Sequence, residues 1–195
     1  NRYSHGEQGS AGATMKQAEE LLALLEKAAG DETGLPPVHQ WNPERHADID
    51  MRIARDGTWF YQESPIERER MVALFSTILL REDDDYFLIT PVEKLRIQVD
   101  DAPFVATEVQ QVKEGGITKL VFTTNVGSHV VAGASHPLWV NTDSETGEPS
   151  PYLCVRENLN ALIGRSAFYQ LVDWAEQQGD TLQVHSNGET FSLGS

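Results

Sequence analysis

One pattern of short apolar segments occurs twice in this chain, and it constrains the fold more than any other feature. An apolar triplet at 59–61, a polar break and a helix-patterned run over 66–79 recur 93 residues later, at 152–154 and 159–172. An alternating, strand-like segment follows each run. The repeat therefore predicts a duplicated strand–helix–strand unit.

The 93-residue offset pairs each residue of the first copy with a specific residue of the second. It aligns Phe75 with Phe168 as matching core anchors. We expect segments 49–99 and 138–193 to superpose. A duplicated protein of this kind tends to bind its ligand between the two copies, so we look for a site at that seam.

Capping signals and apolar periodicity predict three helices. Thr14 and Gln17 open a helix that Gly30 closes, and the capping box of Ser64-Pro65-Ile66-Glu67 opens one that runs to about residue 80. A third helix is expected over 159–178. Gly164 interrupts it, and a glycine inside a helix costs about 1 kcal/mol relative to alanine, which suggests that another element approaches closely there.

Turn signals predict antiparallel hairpins, at Asp56-Gly57, Gly115-Gly116 and Asn187-Gly188. Strands outnumber helices, so the predicted class is α+β with antiparallel sheets. The expected organisation is an N-terminal tail and helix over 1–40, a first domain over 41–102 and a second domain over 103–195.

Composition limits the partners. The net charge of −15 opposes binding to nucleic acid or to an anionic membrane. Ten of the fifteen basic residues are arginines, which suit the pairing of specific anions. A single cysteine, Cys154, excludes an internal disulfide, and no apolar segment has the length of a membrane span, so we expect a soluble cytoplasmic protein.

Sequence motifs for metals, cofactors and catalysis are missing. The six histidines lack metal-ligand spacing, and the calcium-loop imitation that begins at Asn141 has its glycine one place late and Tyr152 where glutamate is needed. Phosphate-binding glycine loops and the hydrolase nucleophile motif do not occur either. We therefore expect no metal, no cofactor and no catalytic residue.

The chain contains five distinctive strings: Ile53-x-x-Asp56-Gly57-x-Trp59, Leu74-Phe75, Thr90-Pro-Val-Glu-Lys94, Asp101-Ala-Pro-Phe104 and Leu159-x-Ala161-Leu162-x-x-Arg165-x-x-Phe168. Over about 41–193 they resemble the bacterial domain-of-unknown-function family numbered 1285. The resemblance implies two similar domains, the second loosely like a pleckstrin-homology fold. It also implies a nucleotide-type ligand at the domain interface and a role in signalling. That family has no established catalytic residue to carry over.

The candidate ligand site combines basic and aromatic residues from both halves. Lys94 from the first copy and Arg156 with Arg165 from the second are expected to converge on an anionic ligand, with Trp59 stacking on a planar group. The predicted function is non-catalytic ligand binding in regulation or signalling, with a nucleotide-type or phosphorylated small molecule.

Two other classes of function stay open. The first is an enzyme that acts on a phosphorylated small molecule and uses Asp101 or His136 as acid or base. The second is a protein-interaction module that binds a protein partner at a sheet edge or groove.

Overall fold

The structure is a computed structural model and describes residues 35–194. Within these residues the chain forms two six-stranded sheets, a small three-stranded sheet, two α-helices and a 3-10 helix at Val38–Gln40. The helix predicted to open at Thr14 lies outside the described residues.

The first domain is built on one sheet with a single helix. Its strands are β1 (Arg45–Ile53), β2 (Trp59–Tyr61), β3 (Ser64–Pro65), β4 (Leu79–Glu82), β5 (Asp85–Ile89) and β6 (Glu93–Val99), in the order β3-β2-β1-β6-β5-β4. Helix α1 (Glu69–Thr77) connects β3 to β4 and buries Met71 and Phe75.

The second domain contains the other six-stranded sheet. Its strands are β7 (Phe104–Glu114), β8 (Ile117–Thr124), β9 (His129–Val131), β10 (Leu138–Thr142), β11 (Pro149–Arg156) and β12 (Leu159–Ile163), in the order β10-β11-β12-β7-β8-β9. Helix α2 (Arg165–Trp174) follows β12 directly. The chain ends in a three-stranded sheet of β13 (Glu176–Gln178), β14 (Thr181–Ser186) and β15 (Glu189–Gly194).

The two large sheets have the same topology. If β1–β6 are matched in chain order with β7–β12, the strand order of one sheet is that of the other. In both, the first and last strands form the central pair and are parallel, whereas all other pairs are antiparallel. The expectation of two related α+β domains is therefore confirmed. The sheets are mostly antiparallel, as expected, and depart from that expectation at the central pair of each.

The 93-residue equivalence, by contrast, is wrong. Residues 59–61 form β2, but residues 152–154 belong to β11, the fifth strand of its unit. The helices also differ, because α1 lies between the third and fourth strands and α2 follows the sixth. As a result Phe75 is fully buried, whereas Phe168 is only partly buried. The alignment matched apolar residues that serve different elements.

Both predicted helices of the described region begin later than expected. Gln62 and Glu63 have φ angles of 49° and 65° and form a tight turn, after which the N–H of Ile66 donates to the carbonyl of Trp59 at 2.8 Å. The first two residues of the capping box, Ser64–Pro65, thus form an edge strand. Residues 159–163 alternate between buried and half-buried positions, which is the period of a strand and not of a helix.

The three predicted hairpin turns are confirmed. Gly57 has a φ of +92°, and the carboxylate of Asp56 accepts a hydrogen bond from the N–H of Thr58 at 3.0 Å. This hydrogen bond lowers the pKa of Asp56. Positive φ angles also occur in the other two turns, at Gly115, Gly116, Asn187 and Gly188. Buried side chains of both domains join in one apolar cluster.

Candidate functional site

An asparagine of the second domain forms a hydrogen bond to the β1–β2 turn of the first domain. Asn125 accepts a hydrogen bond from the N–H of Val105 and donates one to the carbonyl oxygen of Gly57, each at 3.0 Å. A Cβ atom on Gly57 would lie 2.7 Å from Nδ2 of Asn125. Only glycine fits this contact, so the position of the turn relative to the second domain is closely defined.

A carboxylate in the interdomain segment contacts both domains. Oδ1 of Asp101 accepts a hydrogen bond from the hydroxyl of Tyr152 in β11 at 2.7 Å. Its Oδ2 lies 3.2 Å from Nη1 of Arg55, an ion pair without the alignment of a hydrogen bond. Arg55 belongs to the β1–β2 turn and also donates to Oγ of Ser150 at 3.4 Å.

The environment of Tyr152 keeps its phenol neutral. The ring stacks on Trp139, with centroids 5.8 Å apart. Burial, followed by the hydrogen bond to Asp101, raises the pKa of Tyr152 to about 12. Tyr152 is therefore a hydrogen-bond donor near neutral pH and unsuited to act as a base.

A groove of about 420 Å³ lies between the β1–β2 turn and the second domain. We call it the seam groove, and it is lined by Arg55, Glu148, Pro149, Ser150, Pro151, Leu162, Ile163, Gly164, Arg165, Phe168 and Tyr169. Its volume falls within the range of about 300 to 1,000 Å³ that small-molecule sites occupy. Arg55 comes from the first domain and all other lining residues from the second.

The beginning of α2 presents positive charge to the groove. Gly164 caps the helix without a side chain, so no side-chain oxygen accepts from the first-turn N–H groups. A Cβ on Gly164 would lie 3.3 Å from the carbonyl oxygen of Ala106, so the close approach inferred from the sequence is confirmed. Arg165 is exposed, and its side chain makes no ion pair or hydrogen bond with residues 35–194.

Aromatic side chains complete this end of the groove. Phe168 is half-buried, and Tyr169 keeps 60% of its surface exposed although it is a large aromatic residue. A positive helix end, two guanidinium groups and exposed rings together can hold an anion attached to a flat ring.

Arg156 lies at the domain seam but has a structural role there. Its Nη2 donates to the carbonyl oxygen of Ser76, in the last turn of α1, and its guanidinium lies 5.4 Å from the centroid of Phe104. The last carbonyl groups of a helix have no partner within the helix, so Arg156 caps α1 across the seam. Burial lowers the pKa of Arg156.

Lys94 is also engaged within the protein. Its Nζ lies 2.7 Å from Glu82 and 4.4 Å from the ring centroid of Phe87. Lys94 and Arg156 border two smaller hollows that share Val38 and His39. Neither residue lines the seam groove.

Trp59 is part of the core. Only 1% of it is exposed, and its ring stacks on Phe75 with centroids 6.2 Å apart. Its Nε1 is buried without a hydrogen-bond partner in the part of the chain that the structure describes. Because its faces are covered, the ring cannot stack on a ligand here, and the proposed stacking role is corrected.

The four predicted site residues do not converge. Arg156 and Arg165 flank opposite ends of β12, whose four residue steps cover about 13 Å. Of the four, the groove receives Arg165 alone. Sequence reasoning missed Arg55 and Tyr169. Arg55 could have been found from its position next to the Asp56-Gly57 turn, because a glycine in a turn permits another chain segment to approach closely.

The candidate acids and bases are held by other groups. His136 donates from Nδ1 to the carbonyl of Cys154 at 3.1 Å, and Asp101 is bound to Tyr152 and Arg55. Burial raises the pKa of Cys154, whose thiol donates to a carbonyl oxygen. No cluster of three potential metal ligands occurs within residues 35–194.

Comparison with known proteins finds a family of unknown function over both domains. Residues 36–102 match the N-terminal domain of that family, DUF1285, and residues 103–193 match its C-terminal domain. No curated protein matches the chain.

Two solved structures are similar to this chain. A DUF1285 family protein from Silicibacter pomeroyi DSS-3 is 52% identical, with a TM-score of 0.78 over 85% of this chain and 90% of that one. One from Shewanella baltica OS155 is 29% identical, with a TM-score of 0.50 over 63% of this chain and 90% of that one.

These observations define the class as a two-domain α+β protein with a duplicated six-stranded sheet and a groove at the seam. The chain belongs to the DUF1285 family. Among the residues described, no helix is long and apolar enough to cross a membrane.

Proposed function

We propose that the protein is a non-catalytic regulatory or signalling protein that binds a phosphorylated, nucleotide-type small molecule in the seam groove. The observation that carries the proposal is the meeting of Arg55 and Arg165, from different domains, on one groove. Arg165 has no carboxylate partner among the described residues, although acidic residues outnumber basic ones by two to one. An arginine left unpaired in so acidic a chain is available to an external anion.

The electrostatic argument favours a specific ligand over general attraction. A net charge of −15 repels anions at long range, so an anion needs a local positive site to bind. The seam groove supplies this with the unpaired guanidinium of Arg165 and an uncapped helix end, and the guanidinium of Arg55, which is paired with Asp101, lies beside them. Phe168 and Tyr169 supply apolar surface for a ring, the role first assigned to Trp59.

Two further features belong to the proposal. The pleckstrin-homology-like character of the second domain is supported by the position of α2 directly after the last strand of the sheet. A cytoplasmic location agrees with the single cysteine and the acidic composition.

The test is a thermal-shift panel of phosphorylated small molecules, followed by calorimetric titration of each molecule that stabilises the protein, since binding to the native state raises stability. Arg165→Ala is expected to keep the fold and weaken affinity at least tenfold, or about 1.4 kcal/mol. Arg55→Ala should act in the same direction. Arg96→Ala is the matched control, because Arg96 is an exposed arginine paired with Asp85 outside the groove.

Unchanged affinity in both groove variants would contradict the proposed site. A panel without any stabilising molecule would contradict the proposed function. Turnover of a bound molecule would favour the enzyme alternative.

A protein-interaction role is the second candidate, and one observation favours it. Tyr169 and Val172, three residues apart on α2, keep 60% and 36% of their surfaces exposed. Loss of a co-purifying partner in Tyr169→Ala, with nucleotide binding absent in the wild type, would support this candidate.

A further inference from the structure

The seam groove contains charges of both signs that do not neutralise each other. Glu148 and Arg165 both line it, yet the carboxylate of Glu148 and the guanidinium of Arg165 make no ion pair or hydrogen bond within residues 35–194. Some other charged residues do pair, as Lys94 does with Glu82 at 2.7 Å. The groove thus offers a free cation and a free hydrogen-bond acceptor to one ligand.

The groove also presents apolar surface. Pro151, Leu162 and Phe168 contribute to it, and Tyr169 adds an exposed ring. The complementary ligand carries an anion, a flat apolar part and groups that donate hydrogen bonds to a carboxylate. A phosphate alone would satisfy Arg165 and leave Glu148 as a repelling charge.

Resting on the proposed function, we infer that the ligand is a ribonucleoside phosphate whose sugar hydroxyls donate hydrogen bonds to the carboxylate of Glu148. Its phosphate lies at Arg165 and the start of α2, and its base lies against the aromatic side chains. A carboxylate is a suitable acceptor because hydrogen bonds to a charged group are stronger than those between neutral groups. Glu148 is therefore a specificity-determining residue for ribose.

The experiment compares ribonucleoside 5′-monophosphates with their 2′,3′-dideoxy counterparts by calorimetric titration. Wild type is expected to bind the ribose form about tenfold more tightly, the value of one charge-assisted hydrogen bond. Glu148→Gln should reduce this preference to about twofold or less. Glu145→Gln is the matched control, because Glu145 is also exposed in the preceding loop but does not line the groove.

The ratio of the two affinities separates recognition from simple repulsion. If Glu148 only repels anions, Glu148→Gln tightens both ligands equally and the ratio stays unchanged, which overturns the inference. Equal binding of ribose and dideoxy forms to wild type also overturns it, while the proposed function survives. If wild type binds a zwitterionic amino acid instead, or none of these probes, the inference and the nucleotide proposal both fall.

Discussion

The hydroxyl of Tyr152 donates a hydrogen bond to Oδ1 of Asp101 at 2.7 Å. The second oxygen of the same carboxylate lies 3.2 Å from Arg55 of the first domain. One residue in the connecting segment therefore holds a side chain from each domain, next to the proposed ligand site. The arrangement ties the position of Arg55 to that of β11.

The first prediction concerns alkaline pH. The pKa of Tyr152 is raised to about 12 from the ordinary value near 10, so the folded protein keeps a proton that the unfolded chain loses over this interval. Its contribution to stability is complete below pH 10 and is lost as the pH rises to about 12.

We expect the free energy of unfolding to fall more steeply across this interval in wild type than in Tyr152→Phe. Urea denaturation at several pH values measures the difference. Tyr86, whose pKa burial also raises, stays in both proteins and serves as an internal control. Identical slopes would show that Tyr152 titrates normally.

The second prediction separates steric fit from backbone strain at two glycines. Gly57 and Gly127 have φ angles of +92° and +87°, but only at Gly57 does an added Cβ meet another residue. Gly127→Ala should cost about 1 kcal/mol through strain. Gly57→Ala should cost at least about 1 kcal/mol more, because it pushes Asn125 away. Denaturant titration of both variants tests this, and equal losses would contradict the contact.

The third prediction corrects the symmetry inferred from the repeat. Phe75 is completely buried and stacks on Trp59, so Phe75→Ala should cost about 3 to 5 kcal/mol. Phe168 is only half-buried on the groove side, and Phe168→Ala should cost clearly less. Chemical denaturation gives both values. Equal losses of stability in the two variants would support the equivalence of Phe75 and Phe168, which the fold contradicts.

The fourth prediction separates the two arginines that the sequence grouped together. Arg156→Ala leaves a buried carbonyl oxygen in α1 without its partner and should cost about 1 to 3 kcal/mol of stability. It should not weaken any ligand that requires Arg165. Parallel unfolding and binding measurements on Arg156→Ala and Arg165→Ala should therefore give opposite results. Equal losses of affinity would place both residues in one site.

Local turn chemistry was predictable from the sequence, whereas element boundaries were not. The Asp56-Gly57 turn depends on backbone angles that few residues other than glycine adopt, so its signal is local. Leu159 and Ile163 are compatible with either a helix or a strand, and tertiary packing against β7 decides in favour of the strand. The reason for Gly164 was correctly inferred even though its place in the helix was not.

The site was predictable in part for a similar reason. Arg165 follows Gly164, a glycine at which another chain segment approaches closely, and this signal is local in the sequence. Arg55 reaches the groove because the β1–β2 turn packs on the second domain, through Asn125. That contact joins residues 68 positions apart, and no local pattern reports it. Trp59 was misassigned because burial cannot be read from residue type alone.

In each large sheet the first and last strands pair with each other at the centre, and this pairing has a consequence for the order of folding. The parallel pair of β1 with β6 cannot be complete until Val99 has been made, because the central pair joins the first and last strands of the unit. At that point the first sheet has all its strands, whereas the second waits for Ile163. On a ribosome the domains can therefore fold in succession, and the seam groove forms only after the second domain has been made as far as Tyr169, since all but one of its lining residues come from 148–169. Ligand binding would then report that synthesis and folding of both units are complete.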